Sequence, residues 1–402
     1  MSRVFFAWEL GGGYGHLGPF RPIAELLMSR GHQVTIAARE VERANIVFGP
    51  TGAAVVQAPL CTKTYSGLEE PPLNYAEILM RYGYLDAPVL GGLVRAWRDL
   101  ILLARPDVLV ADHAPTALLA ARDMRIAKLA TGAPFTIPPR ASPTPNMRPW
   151  LSVPEERLVS SDRTVLATVN ASLPQGTAKL GTVPEIFEGA ELLMSGVAEL
   201  DPYAPRQGGS YLGLHAGSVG KLAPQWPQGE GSRIFAYLNI EYKHLEAAVG
   251  ALAGSGARCV VFIAGVSPAL REKHGNERLV FSDGLLDIDR TLSEADLCVC
   301  HGNFGTVTGS LRSGKPMVVL PMDLEKFLTA AALQKRNLAY YVHPDVPSPD
   351  FVGAIRMALS DQGLTDTARQ FAARHRQPSV DTIVRRASDC IESLARTGSM
   401  GE

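Results

Sequence analysis

Apolar residues along this chain gather into short continuous runs, separated by stretches in which they recur at helical spacing. Residues 4–8, 33–38, 53–57, 107–111 and 126–130 are runs of the kind that form strands buried on both faces. Between the first two, Phe20, Ile23, Ala24, Leu26 and Leu27 follow Pro19, which suits a helix start, and Gly31 ends the helix. That is a strand–helix–strand unit of parallel type. Residues 73–104 read as helical with interruptions at Pro88 and Gly91-Gly92, and 116–122 as a short helix. Residues 131–150 hold six prolines and read as a loop. Around 201–232 Pro and Gly crowd together and mark a linker. The alternation then restarts. Strands are expected at 233–238, 259–264, 279–281, 297–300 and 317–320, with helices at 241–252 and through 310–312. Two more helices, from about 364 and about 379, close the chain.

The pattern predicts an α/β protein of two doubly wound, Rossmann-like domains, 1–205 and 233–378, joined by a linker at 206–232. Residues 379–402 form a closing helix that could return to the first domain. The domains are expected to face each other across a cleft, with ligands at the carboxyl ends of the strands.

Composition narrows the function. With 39 Lys plus Arg against 40 Asp plus Glu, the net charge of −1 gives no general pull toward nucleic acid. No run approaches the length of a membrane span, and the opening run at 4–8 is too short for a secretory leader. Cys61, Cys259, Cys298, Cys300 and Cys390 are an odd, sparse set, which predicts free thiols and a cytoplasmic protein. Cys298 and Cys300 would share one face of a strand, and two buried thiols is the plainer reading than a metal pair.

Three segments could carry chemistry. In the first, Gly11-Gly12-Gly13-Tyr14-Gly15-His16-Leu17-Gly18-Pro19 joins the first strand to the first helix. Residues 13–18 satisfy G-x-G-x-x-G, and Glu40 lies about twenty residues on, as in dinucleotide sites. Against that reading, four residues separate Trp8 from Gly13, and His16 and Pro19 put bulk where a pyrophosphate needs bare backbone. His16, beside a helix N-terminus that disfavours imidazolium, suits a general base; its plainer role is a cap or a surface histidine.

In the second segment, Asp112 follows a buried run and could orient His16 as a dyad partner, or cap the helix at 116–122. His113 reads as a loop residue pointing away. In the third, Cys300-His301-Gly302-Asn303-Phe304-Gly305-Thr306 ends a strand and opens a helix. The amides of 303–306, with the helix dipole, suit a diphosphate, and His301 and Thr306 could add side-chain hydrogen bonds; the alternative is a glycine turn required for packing. Asp287-Ile288-Asp289 spells D-x-D, but capping a short helix is its simpler role, and no metal set with convincing spacing is found.

Gly15-His16-Leu17-Gly18-Pro19, His301–Thr306 and then 314–321 (Gly-Lys-Pro-Met-Val-Val-Leu-Pro) together resemble the UDP-glycosyltransferase superfamily, which has the GT-B fold. The likeness is greatest to its bacterial macrolide and natural-product branch. The resemblance implies metal-independent, inverting transfer of a sugar from a nucleoside diphosphate sugar, UDP or dTDP, to a hydroxyl of a small-molecule acceptor, with no other cofactor. Under it, His16 is the base, Asp112 its partner, and Gly13 and Gly15 shape the acceptor turn. Leu286, His301, Gly302, Asn303, Phe304, Gly305 and Thr306 meet the nucleotide, while Glu325 and Lys326 stand where the sugar hydroxyls are gripped. Lys326 in place of the usual Gln, and Asn303 in place of a usual Gly, depart from the pattern. A GT-B-fold epimerase and a non-catalytic nucleotide-sugar-fold partner are the rival readings; a homodimer is compatible with the transferase.

Overall fold

The computed structural model describes residues 1–215, 217 and 219–399, the last three by backbone alone. Ala216 and Ser218 of the expected linker, and 400–402 of the expected closing helix, lie outside the described residues. The chain forms two compact units. One comprises Met1–Leu212 and the segment from Ile383 onward; the other is Gly213–Thr382.

In the first unit, strands β1 (Arg3–Trp8), β2 (Gln33–Ala38), β3 (Ala54–Gln57), β4 (Val108–Asp112), β5 (Ala127–Gly132), β6 (Glu191–Met194) and β7 (Ser210–Tyr211) make one sheet in the order β3-β2-β1-β4-β5-β6-β7. All pairings are parallel, and Trp8 lies opposite Asp112 at the carboxyl ends of β1 and β4. Between Arg3 at the start of β1 and Asp112 at the end of β4, the central strands are apolar, because helices cover both faces of a parallel sheet. The helix Phe20–Ser29 buries Phe20, Ile23, Ala24 and Leu27, the stripe its sequence spacing predicts.

The second unit repeats the plan. Strands β8 (Arg233–Leu238), β9 (Arg258–Ile263), β10 (Leu279–Phe281), β11 (Leu297–Cys300), β12 (Met317–Val319) and β13 (Ala339–Tyr341) form a parallel sheet in the order β10-β9-β8-β11-β12-β13. In each unit, therefore, the first strand lies between the second and the fourth. That reversal of strand order opens a crevice at their carboxyl ends.

The structure differs from the sequence reading in several places, among them the unexpected helices Val41–Phe48, Pro268–His274 and Phe351–Ser360. Gly91-Gly92 does not interrupt a helix: Ala87–Ala104 is continuous, with Pro88 in its first turn and Asp86 as its cap, and the break falls at 81–86. Neither glycine is required by crowding: a methyl on Gly91 would make ordinary contact with Ser172 at 3.8 Å, and one on Gly92 would meet nothing. The helix Glu155–Ser172 was not expected, because its buried positions are partly polar (Ser161, Asp162, Thr168). Strands β6, β7 and β13 were not expected either, being two to four residues long. Finally, residues 206–212 are not linker. β7 pairs with β6, and the Arg206 side chain, 2% exposed, is ion-paired at 2.7 Å with the Asp201 side chain, 0% exposed.

The helix Val380–Ser399 supplies the first unit with acids for bases near β2. Arg30 pairs with Asp389 at 2.7 Å and Glu392 at 3.0 Å, and His32 Nε2 lies 3.2 Å from Glu392.

Candidate functional site

The loop after β1 turns back over the strand ends through Gly11 and Gly13, both at positive φ, before Pro19 opens the helix Phe20–Ser29. This places His16 over β1 and β4. Its ring stacks on Trp8, with centroids 5.2 Å apart and 22° between planes, and Nδ1 lies 3.0 Å from Asp112 Oδ1. The carboxylate can only accept, so Nδ1 carries a proton and donates; in the neutral ring this puts the lone pair on Nε2. Both side chains are nearly buried.

Asp112 does not cap the helix Pro115–Ala120, which has Ala114 at its cap position and no side-chain cap. Glu9 takes that role from across the crevice: its carboxylate accepts from Thr116 N at 3.0 Å and Thr116 Oγ1 at 2.5 Å. Fully buried, the Glu9 carboxyl is pushed up to about 7, against the pull of the Thr116 hydrogen bonds. Glu40, the acid a dinucleotide reading would need, instead accepts from Gly13 N at 3.4 Å and pairs with Arg43 at 2.8 Å. Gly15 has open space where a side chain would stand.

His113 is not a loop residue pointing away. It is buried, its ring centroid is 6.2 Å from that of His16 and 6.3 Å from that of Tyr75, and burial pushes its pKa down to about 3. The signal available in the sequence was its position, directly after Asp112 at a strand's carboxyl end. Glu9, too, could have been marked by standing directly after Trp8.

In the second unit, β11 runs into Gly302 at φ +90°, and the helix Phe304–Arg312 follows with Asn303 at its cap and no side-chain hydrogen bond to its first amides. The amides of the first turn are the orphan donors of any helix start. A methyl on Gly302 would lie 3.1 Å from Lys326 O, so the turn sits against the start of the helix Leu324–Lys335. His301, Gly302, Asn303, Phe304, Gly305, Glu325 and Lys326 are thereby brought together, with Thr306 buried beneath them.

The expectation that His301 offers a phosphate a hydrogen bond does not fit this arrangement. Its Nδ1–H donates to Leu320 O at 2.7 Å, and its Nε2 accepts from Asn239 N at 2.8 Å. Both nitrogens are committed, and burial pushes the ring's pKa down to about 4, so it is neutral. Lys326 is ion-paired with Asp323, the residue that caps its own helix. Leu286 has a buried side chain, and its carbonyl lies against Gly220.

Among the described residues, no three His, Cys, Asp or Glu side chains gather to hold a metal. Asp287 caps the helix Ile288–Glu294, accepting from Arg290 N at 3.0 Å. Cys298 and Cys300 are buried free thiols on β11. No helix among the described residues is long and apolar enough to cross a membrane.

The whole plan, both sheets and the helices around them, is shared with solved bacterial glycosyltransferases. CalG4, the calicheamicin glycosyltransferase, is 18% identical over 98% of each chain, with a TM-score of 0.71. The chain has the GT-B fold. Two other structures with this fold were solved with a nucleotide. VinC, in complex with dTDP, is 17% identical over 99% of this chain and 100% of its own, at a TM-score of 0.67. SsfS6 of Streptomyces sp. SF2575, complexed with thymidine diphosphate, is 19% identical over 97% and 100%, at 0.63. No protein-family model matches this GT-B chain, and no curated protein matches it in sequence.

Proposed function

We propose that the chain is a glycosyltransferase that moves a sugar from a nucleoside diphosphate sugar to a hydroxyl of a small molecule. The observation that carries this reading is the His16–Asp112 pair held on Trp8 at the strand-order reversal of the first sheet. With Nδ1–H donated to Asp112, Nε2 is the nitrogen that accepts the acceptor's hydroxyl proton, and the carboxylate stabilises the imidazolium that results. The oxygen attacks the anomeric carbon as the bond to the diphosphate breaks, and one displacement inverts that centre. The leaving diphosphate carries away negative charge. The orphan amides and positive dipole end of Phe304–Arg312 suit it. His301 serves this site by fixing the turn rather than by touching the phosphates. Glu325 and Lys326 meet the donor sugar, with Asp323 moderating the lysine charge. dTDP is favoured over UDP as the carrier, since VinC and SsfS6 were solved with it.

Calorimetry with dTDP and UDP, followed by turnover of dTDP-glucose and UDP-glucose, tests the proposal. His16→Ala is expected to lower turnover by roughly 10² to 10⁴ with nucleotide affinity unchanged. Adding Asp112→Asn to it should cost little more, because residues that act as a unit are not additive. Turnover should survive EDTA, since no step is assigned to a metal. Nucleotide binding without donor turnover would make the chain a non-catalytic partner; binding of neither nucleotide would sink the reading altogether.

A further inference from the structure

Among the described residues, the most deeply buried ion pair is Asp201–Arg206, just before the edge strand β7. Asp201 Oδ2 accepts from Arg206 Nε at 2.7 Å and from the Tyr211 hydroxyl at 2.6 Å. Its Oδ1 accepts from Tyr203 N at 2.8 Å and from Arg206 Nη2 at 3.1 Å. The desolvation of two charges largely offsets their attraction, so a pair of this kind is weak evidence of stabilisation. Its effect here is to aim a guanidinium. Arg206 Nη1 donates to Ile137 O at 2.6 Å and Nη2 to Pro134 O at 3.1 Å. The hydroxyl of Tyr203, whose ring the guanidinium covers, donates to Phe135 O at 3.3 Å. Thr136 closes the turn on itself, its hydroxyl donating to Ala133 O at 2.8 Å. Carbonyls 134, 135 and 137 are thus fixed from outside the turn.

The turn Pro134–Thr136 continues β5, and β5 ends against Asp112. Thr131 lies opposite Asp112 in the sheet. The next residue, Gly132, has φ +103°, and a methyl on it would fall 2.2 Å from Asp112 Oδ1. That oxygen is the one to which His16 Nδ1 donates. Gly132 is therefore the surface against which the carboxylate rests. It is gripped from two directions: its carbonyl accepts from Ser195 N at 2.8 Å, just past β6, and two residues on the chain enters the turn that Arg206 holds.

We propose that Arg206 is a positioning residue for the His16–Asp112 pair: anchored by Asp201, it fixes the turn Pro134–Thr136, and through it Gly132, where the Asp112 carboxylate meets His16 Nδ1. The effect on turnover rests on the glycosyl-transfer reading; the effect on the ring does not. With the turn slack, Gly132 and the carboxylate resting on it shift away from Nδ1. The imidazolium then loses its closest opposite charge, and the ring gives up its proton at lower pH. His113, the titratable ring beside His16, is held down to about 3 by burial and keeps its neutral charge over this range.

The test follows the ring itself. The full chain is labelled with ¹³C-histidine, and among its nine histidines the His16 signal is the one missing from His16→Ala. Arg206→Lys keeps a charge opposite Asp201 but replaces the planar fork with a point charge. The double variant Asp201→Asn/Arg206→Gln leaves no buried charge unpaired. Val169→Ala, at a position 1% exposed in the same core and away from the turn, measures what a loss of stability does alone. We expect the His16 midpoint to fall by about half a pH unit or more in the two Arg206 variants and to stay in place in Val169→Ala. Hydrolysis of dTDP-glucose and UDP-glucose, with water as the acceptor, should slow roughly tenfold in the Arg206 variants while the donor KM is unchanged. An unmoved midpoint in both variants, an equal shift in Val169→Ala, a lowered midpoint with undiminished hydrolysis, or failure of both Arg206 variants to fold would each overturn the proposal. A lowered midpoint when even the unmutated chain consumes neither donor would leave Arg206 its hold on the ring and sink the transferase reading instead.

Discussion

Gly11 and Gly132 leave the space that His16 and Asp112 fill. Gly11 sits at φ +82°, and a methyl there would overlap His16 Nε2; Gly132 sits at φ +103°, and a methyl there would overlap Asp112 Oδ1. Gly11→Ala therefore carries two penalties. The left-handed backbone costs about 1–2 kcal/mol for a residue with a Cβ, and the new methyl pushes the ring off Asp112. The expected outcome is a melting temperature a few degrees lower and turnover reduced as far as in His16→Ala. A variant with unchanged turnover would show that Nε2 is not the working nitrogen. At this scale the sequence was partly legible. His16 and Asp112 stood out because each follows an apolar run at a strand-to-helix turn. His113 and Glu9 carry only a positional signal, each directly after a strand's last residue, because burial and partners across the sheet are not written along the chain.

At the scale of elements, the second unit turns on how one ring ties three strand ends. His301, just past β11, receives a hydrogen bond from Asn239, just past β8, and gives one to Leu320, just past β12. His301→Ala would leave an amide and a carbonyl unpaired in a buried place, at a cost of about 1–3 kcal/mol each. We expect the loss to show as a lowered urea midpoint in the absence of nucleotide. A weakening of dTDP binding with no change in that midpoint would return His301 to the phosphates. The helix Phe304–Arg312 was legible as a start signal after a strand, but the internal use of His301 was not, since motif spacing records a residue's position and not its hydrogen-bond partners. The helix Glu155–Ser172 was missed for a related reason: Asp162, which interrupts its apolar stripe, is held by Thr144 at 2.8 Å and 2.5 Å, a pairing far away in sequence.

At the scale of the whole molecule, buried ionisable groups set how stability answers to pH. The Glu9 carboxyl rises from an ordinary 4.5 to about 7 on folding. Below pH 4.5 it is protonated in both states; as pH rises toward 7 the unfolded chain ionises first, so stability falls, by about 3 kcal/mol in all. His113 and His301 act in the opposite sense. Held at about 3 and about 4 against an ordinary 6.5, they contribute stability above pH 6.5 that is lost as the pH falls. Glu9→Gln isolates the first effect, because both histidines remain in the variant and cancel in the comparison. Urea unfolding at pH 5, 6, 7 and 8 should show the glutamine variant gaining on the wild type as pH rises. A difference independent of pH would mean that Glu9 is ionised throughout. The α/β class and most strands were legible at this scale, because strands buried on both faces must be apolar from end to end. The limits of the units were not, because a two-residue edge strand and a buried Asp201–Arg206 pair sit inside a stretch whose composition reads as linker.

The first unit is started first and finished last. Arg30 and His32 leave the ribosome early, yet their partners Asp389 and Glu392 are added only after every residue from Gly213 to Thr382 has been made. During synthesis the second unit has all of its sequence in hand while the first still waits for its closing helix. A premature stop or a proteolytic nick near 380 would therefore injure the unit whose sheet lies before residue 213.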